Sequence, residues 1–156
     1  MKKGFSSAAV LVVLSLGVSV GECASLTTAF ADVLLRDVPL GQSWRVEEHG
    51  RSFELHNTGE TPLVVQVEAV KPEARELHSP AEPIPDVSWV LIKPASMTVA
   101  PHQKGRFDIV LSLPKEERLR NRMFQVMLWS RSAPIEGKGI SVSAGLKSRL
   151  RFQTIR

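Results

Sequence analysis

Lys147, Arg149 and Arg151 alternate along the last apolar-patterned run of the chain, and period-two geometry sets all three on one face, opposite Leu146, Leu150 and Phe152. Three cations at that spacing could grip an anionic partner such as lipopolysaccharide, an acidic polysaccharide or an acidic protein face. The same stripe would also protect a sheet edge, because charged side chains discourage a second chain from pairing there, and edge protection is the favoured reading. The chain has three tryptophans. Trp44 sits in the polar segment GQSWRVEEHG and is the best placed of them for a surface contact. Trp89 alternates with Val87 and Leu91 as a core residue does, and Trp129 closes an apolar run beside a loop. Core or rim packing is the ordinary role of all three. Lys147, Arg149, Arg151 and Trp44 are therefore the candidate partner-binding positions.

The other chemistry-bearing residues are scattered. His49, His56, His78 and His102 fall in turns or at strand ends, without the spacing of a metal-ligand set. Ser52, Ser79 and Ser96 could be nucleophiles only with a base and an oxyanion hole, and no Gly-x-Ser-x-Gly elbow is present. Glu47-Glu48 and Glu116-Glu117 are neighbours in sequence, whereas glycosidase carboxylates face each other across a groove. Lys115, Arg118, Arg120 and Arg122 are interspersed with Glu116 and Glu117 at helical spacings, which reads as a self-compensated exposed turn. The expectation is no enzyme, no metal and no cofactor. A net charge of +4 with few aromatics gives no nucleic-acid signature.

The elements that must position these residues begin after a leader. Met1-Lys2-Lys3 is basic, Ala8 to Val20 is apolar and uncharged, and Ala29-Phe30-Ala31 is a small-x-small site. This is the pattern of a bacterial-type secretory signal peptide over residues 1–31, cleaved after Ala31, with Ala24 as a competing site that places Glu22 at −3. The apolar run is short of the roughly 20 residues a membrane span needs, so no transmembrane segment is expected after cleavage. Cys23, the one cysteine, follows Glu22 rather than the small residue of a lipidation site, and lipidation there is a minor alternative. Cleavage after Ala31 removes it, leaving residues 32–156 as one domain that must rely on core burial. The expected location is periplasmic or extracellular.

Within residues 32–156 period two dominates. Arg51 to His56 alternates, Asn57-Thr58-Gly59-Glu60 turns, and Pro62 to Val70 alternates again, which predicts a hairpin. Lys71 to Asp86 carries Pro72, Pro80, Pro83 and Pro85 and predicts an irregular crossing, since proline cannot donate to a ladder. Val87 to Ile92, Met97 to Val99, Arg106 to Leu113, Met123 to Trp129, Ile140 to Ala144 and Leu146 to Ile155 read as strands, with Asp32 to Val38 and Ser43 to Glu47 as weaker ones. Pro114 to Asn121 reads as a short helical piece and Ser130 to Gly139 as a loop. About seven to nine short strands separated by turns predict an all-β, immunoglobulin-like antiparallel sandwich.

Phe53-x-Leu55-x-Asn57-Thr58-Gly59-x-x-Pro62-Leu63-Val64-Val65 resembles the B–C hairpin of bacterial extracytoplasmic immunoglobulin-like domains. Pro94 to Pro101, then Phe107-x-Ile109-x-Leu111-x-Leu113-Pro114, resembles their D–E region, and Arg122 to Leu128 their strand F. The pattern, over residues 51–129, is similar to the N-terminal domain of pilus-assembly chaperones and to fibronectin-like or sperm-protein-like modules. Pilus chaperones have two such domains and this chain has length for one. Their cleft Arg and Lys pair has no counterpart that can be placed here, so no site residue is carried over. Tyrosine is absent, which excludes a tyrosine corner and leaves that space to Phe124.

The resemblance implies a non-enzymatic binding or structural module, accessory to a cell-envelope or filament assembly and holding an envelope or filament protein by a strand edge or the basic face. The alternative is a pilus-type chaperone or a strand-exchanging fimbrial subunit, the exchanged piece being Asp32 to Gly41. A small carbohydrate-active enzyme is a third and weaker reading.

Overall fold

The computed structural model describes residues 26–134 and 145–156. Residues 1–25, with the apolar run of the expected leader and Cys23, and the expected strand Ile140 to Ala144 lie outside them. In chain order the strands are β1 (Leu26–Thr27), β2 (Asp32–Val38), β3 (Ser43–Arg45), β4 (Phe53–Asn57), β5 (Leu63–Val70), β6 (Glu82–Pro83), β7 (Val90–Lys93), β8 (Ser96–Val99), β9 (Lys104–Ser112), β10 (Met123–Pro134) and β11 (Gly145–Thr154). They form two stacked sheets, as the all-β sandwich expectation required.

The first sheet is organised on β9. β3 and β4 run antiparallel to it one after the other, with Trp44 opposite Leu111 and Phe53 opposite Phe107. Between them a 3-10 turn, Glu47–His49, ends at Gly50, whose φ of +76° only glycine adopts at little cost. β7 pairs with β9, setting Ile92 opposite Ile109, and β1 flanks β4. The second sheet runs β2–β11–β10–β5–β8. β10 is its central strand, which explains an apolar run on both faces. β2 lies parallel to β11, Val33 opposite Leu150.

Among the described strands the chain changes sheets between β1 and β2, β2 and β3, β4 and β5, β6 and β7, β7 and β8, β8 and β9, and β9 and β10. The change between β4 and β5 corrects the expected hairpin. β4 and β5 do not pair; β4 pairs with β9 and β1, and β5 with β10 and β8. Phe53 and Leu55 on one strand and Leu63, Val65 and Val67 on the other are all buried. The two runs face each other across the core, which buries more apolar surface than lying side by side. Asn57 makes the arch possible: it is fully buried, its Oδ1 accepts the Gly59 amide at 3.0 Å, and its Nδ2 donates to the Thr61 and Val99 carbonyls at 2.7 and 3.1 Å.

The core is aromatic at both ends. Phe53 meets Phe30 edge-on at 5.1 Å, and Phe124 packs against Phe152 at 5.8 Å and Trp89 at 6.3 Å. The proline-rich crossing is irregular as expected but is pinned to β10. The buried Gln125 accepts the His78 amide at 2.9 Å and donates to the Glu76 carbonyl at 2.7 Å. β6 then lies parallel beside Phe124 and Gln125.

Three boundaries differ from the sequence reading. Val87–Trp89 is a 3-10 turn, capped by Asp86 accepting the Ser88 amide at 2.8 Å, so that strand begins at Val90. Ser130–Pro134 extend β10 rather than opening a loop, because β5 continues to pair with them. The helical piece is a single 3-10 turn, Glu117–Leu119.

Candidate functional site

β11 carries the basic stripe, and its place in the sheet decides what the stripe does. From Arg149 onward β11 lies between β10 and β2, so Arg149 and Arg151 do not guard an open edge; the edge-protection reading is corrected for these two. The reason is β2, whose parallel pairing no local sequence signal announces. The cations instead find acids. Asp32, at the start of β2, accepts from Arg149 Nη1 at 2.9 Å and from Arg151 Nη2 and Nε at 3.0 and 3.2 Å. Lys147 Nζ donates to Glu76 Oε1 at 2.7 Å and to Glu73 Oε1 at 3.4 Å, tying the proline-rich crossing to the sheet.

Burial pushes the Asp32 carboxyl up, but the bonds from Arg149 and Arg151 outweigh it and hold the group below the ordinary carboxylate range. The Lys147 ammonium, with the Glu73 backbone amide, lowers Glu76, and Glu76 in turn raises Lys147. The face that looked cationic in sequence thus carries ion pairs to Asp32, Glu73 and Glu76, with Arg149 Nε buried and without a hydrogen-bond partner among the described residues. The exposed turn around Glu116 and Glu117 is compensated too, by Arg118 at 2.5 Å and Arg120 at 2.7 Å.

The same strand has an open side. β2 begins opposite Arg149, so among the described residues no strand pairs with Gly145–Ser148 on the side away from β10. The Arg149 amide points to that side, donating to the Ala31 carbonyl at 2.8 Å. By alternation the amides of Gly145 and Lys147 point the same way. Among the described residues these amides face no partner strand, and an edge of that kind is the feature an added strand needs. Beneath it the Oγ atoms of Ser130 and Ser148 are buried with no hydrogen-bond partner among the described residues. A second edge, β7, presents Leu91, 47 % exposed.

Trp44 is half-buried beside the core and stacks on His49, ring centroids 3.8 Å apart and 16° from parallel. It stands on β3, in the other sheet from the stripe, so the structure does not bring the candidate positions into one site. Trp89 and Trp129 are partly buried; Arg131 covers the Trp129 ring at 4.6 Å. Among the histidines, His102 meets Glu60 at 2.8 Å and His56 lines a cleft of about 340 Å³ with Phe30, Ser52, Glu54 and Lys104. Among the described residues no three His, Cys, Asp or Glu side chains converge on a metal position, and no helix is long and apolar enough to cross a membrane.

Sequence reasoning found the stripe and missed its acids. Asp32 lies 117 positions from Arg149 and Glu76 lies 71 from Lys147, beyond any local pattern.

No protein-family model and no curated protein matches the sequence. Solved structures do. The chain is similar to the ASH/PapD-like domain 7 of human CEP192, with a TM-score of 0.60 and 11 % identity over 98 % of both chains. It is similar to the structure of Salmonella enterica SafA pilin in complex with the SafB chaperone, with a TM-score of 0.56 and 16 % identity over 85 % of this chain and 56 % of that one. The E. coli chaperone DraB gives 0.55 and 16 %, over 84 % of this chain and 56 % of its own. The fold is a PapD-like immunoglobulin sandwich. This PapD-like chain spans a little over half the length of the chaperones it matches. The chaperone-like likeness implied by residues 51–129 therefore holds for the fold, and the structural match covers more of the chain than those residues.

Proposed function

We propose that this PapD-like sandwich is a non-enzymatic binding module of the periplasm or cell exterior, accessory to an envelope or filament assembly. It holds an extended segment of a partner protein along Gly145–Ser148. The observation that carries the reading is that no described strand pairs with that stretch on the side away from β10, in a fold shared with a chaperone whose structure contains a pilin. Leu146 packs against the core from this stretch and Lys147 faces out, so the partner strand would find amides and carbonyls at the edge and a charge beside them.

A pilus-type chaperone is the second reading, favoured by the matches to SafB and DraB. A strand-exchanging subunit would need β2 to leave β11, and β2 buries Val33, Leu35 and Val38.

The test is crosslinking and affinity capture of the exported protein in its native host, read by mass spectrometry, with two variants. Lys147→Pro removes an amide that faces the open edge and leaves the β10 ladder intact. Lys147→Gln keeps the amide and removes the charge. One stoichiometric envelope or filament protein is expected with the unaltered chain and with Lys147→Gln, and about tenfold less with Lys147→Pro. Equal loss in both variants would show that the charge holds the partner. Ladders of the protein with itself would support strand exchange, and capture undiminished by Lys147→Pro would sink the edge reading.

A further inference from the structure

The small-x-small triplet Ala29-Phe30-Ala31 marks the end of the leader by pattern, but residues on its leader side are built into the sandwich. Leu26 and Thr27 form β1, opposite Asn57 and His56 of β4. Thr28 Oγ1 donates to the Glu54 carbonyl at 2.6 Å and accepts the Phe30 amide at 3.1 Å. Phe30 is 4 % exposed and meets Phe53 edge-on, the rings 82° apart. The Ala31 carbonyl accepts the Arg149 amide at 2.8 Å, the first bond of the β2–β11 seam.

Scission after Ala31 would strip the outer edge of β4, remove an aromatic ring from the core and leave the Arg149 amide to a new, charged chain terminus. Processing acts on the extended chain, so burial does not shield the triplet; what the folded domain records is which residues it needs. We propose that Leu26–Ala31 belong to the mature domain and that the leader is cut upstream of Leu26. The sequence supplies a site there. Ser19-Val20-Gly21 places small residues at −3 and −1 at the end of the apolar run, whereas Ala24 has Glu22 at −3. The inference does not rest on the proposed partner: it concerns which residues the domain keeps.

The full-length precursor is expressed in a bacterial host that exports it, and the periplasmic product is read by intact mass and N-terminal sequencing. The expected product begins upstream of Leu26, at Glu22 if Gly21 is the site. A product beginning at Asp32, or no shortened product, overturns the proposal. Two variants of the precursor make independent checks. Phe30→Ala is expected to carry its mass difference into the exported product and to lower its melting temperature by several degrees. An exported product identical in mass to the unaltered one would mean that Phe30 left with the leader. Ala31→Arg places a bulky charge at the downstream site and is expected to be processed like the unaltered chain; accumulation of precursor would overturn the proposal.

Discussion

Asp32 and Arg149 stand 117 residues apart in the chain and meet at 2.9 Å, carboxylate to guanidinium, where β2 joins β11. Burial raises the Asp32 pKa, and the bonds from Arg149 and Arg151 more than reverse it. A carboxylate whose folded pKa lies below its unfolded value stabilises the fold above the unfolded value, and that contribution is lost as pH falls through the folded one. Glu76, lowered chiefly by Lys147, acts in the same direction. The melting temperature is therefore expected to fall below about pH 4. Asp32→Asn is expected to lower it at pH 7 and to flatten the acid decline. Thermal melts from neutral to acidic pH check this, and an unchanged acid limb in Asp32→Asn would refute it.

Asn57 holds the β4–β5 arch through buried bonds to the Thr61 and Val99 carbonyls. Asn57→Ala leaves both carbonyls without that donor and is expected to reduce stability by about 1–3 kcal/mol. Urea unfolding measures it; a midpoint within error of the unaltered chain would show that the turn closes without the side chain.

Gln125 is expected to matter for a different segment. Gln125→Leu keeps the size of the side chain and takes away the partners of the His78 amide and the Glu76 carbonyl. Stability is expected to drop by about 1–3 kcal/mol, and the crossing around Arg75 to loosen. Arg75 is exposed, so limited trypsin digestion reads the loosening directly, as faster cleavage there.

Gly105 is a close-approach glycine. A Cβ on it would stand 2.6 Å from Val99 Cγ2 and 2.7 Å from Met97 Sδ. The methionine end can swing aside, but the short valine cannot, so Gly105→Ala is expected to destabilise by about 1–3 kcal/mol. Gly50→Ala meets open space and suffers only from its φ of +76°, about 1 kcal/mol. The ranking of the two, measured by chemical denaturation, separates crowding from backbone strain.

Most strands were legible because period-two alternation is a local property. Phe107, Ile109 and Leu111 on β9, and Leu150 and Phe152 on β11, are buried where the pattern placed them. The expected hairpin at Asn57 was misread because turn residues and flanking alternation are the same for a hairpin and for an arch; only the partners β9 and β10 separate the two. Val87–Trp89 was misread as strand because Asp86, not the apolar pattern, sets the local backbone. At the candidate site the basic stripe was legible and its meaning was not. Lys147, Arg149 and Arg151 do share a face, but whether that face is free depends on Asp32, Glu73 and Glu76 arriving from distant parts of the chain.

The chain's own pattern settled that this is an all-β domain, which side of most strands faces in, and that its prolines interrupt the ladder between Lys71 and Asp86. Alternation and proline chemistry act over a few residues, so they can be read without a partner. Which strands became neighbours, where the chain changes sheets, and which edge was left open were decided by tertiary packing. Leu34 opposite Arg151 and Trp44 opposite Leu111 are long-range pairings. Each forms because it closes a core that no single segment can cover, and that requirement is written in no stretch of sequence short enough to read alone.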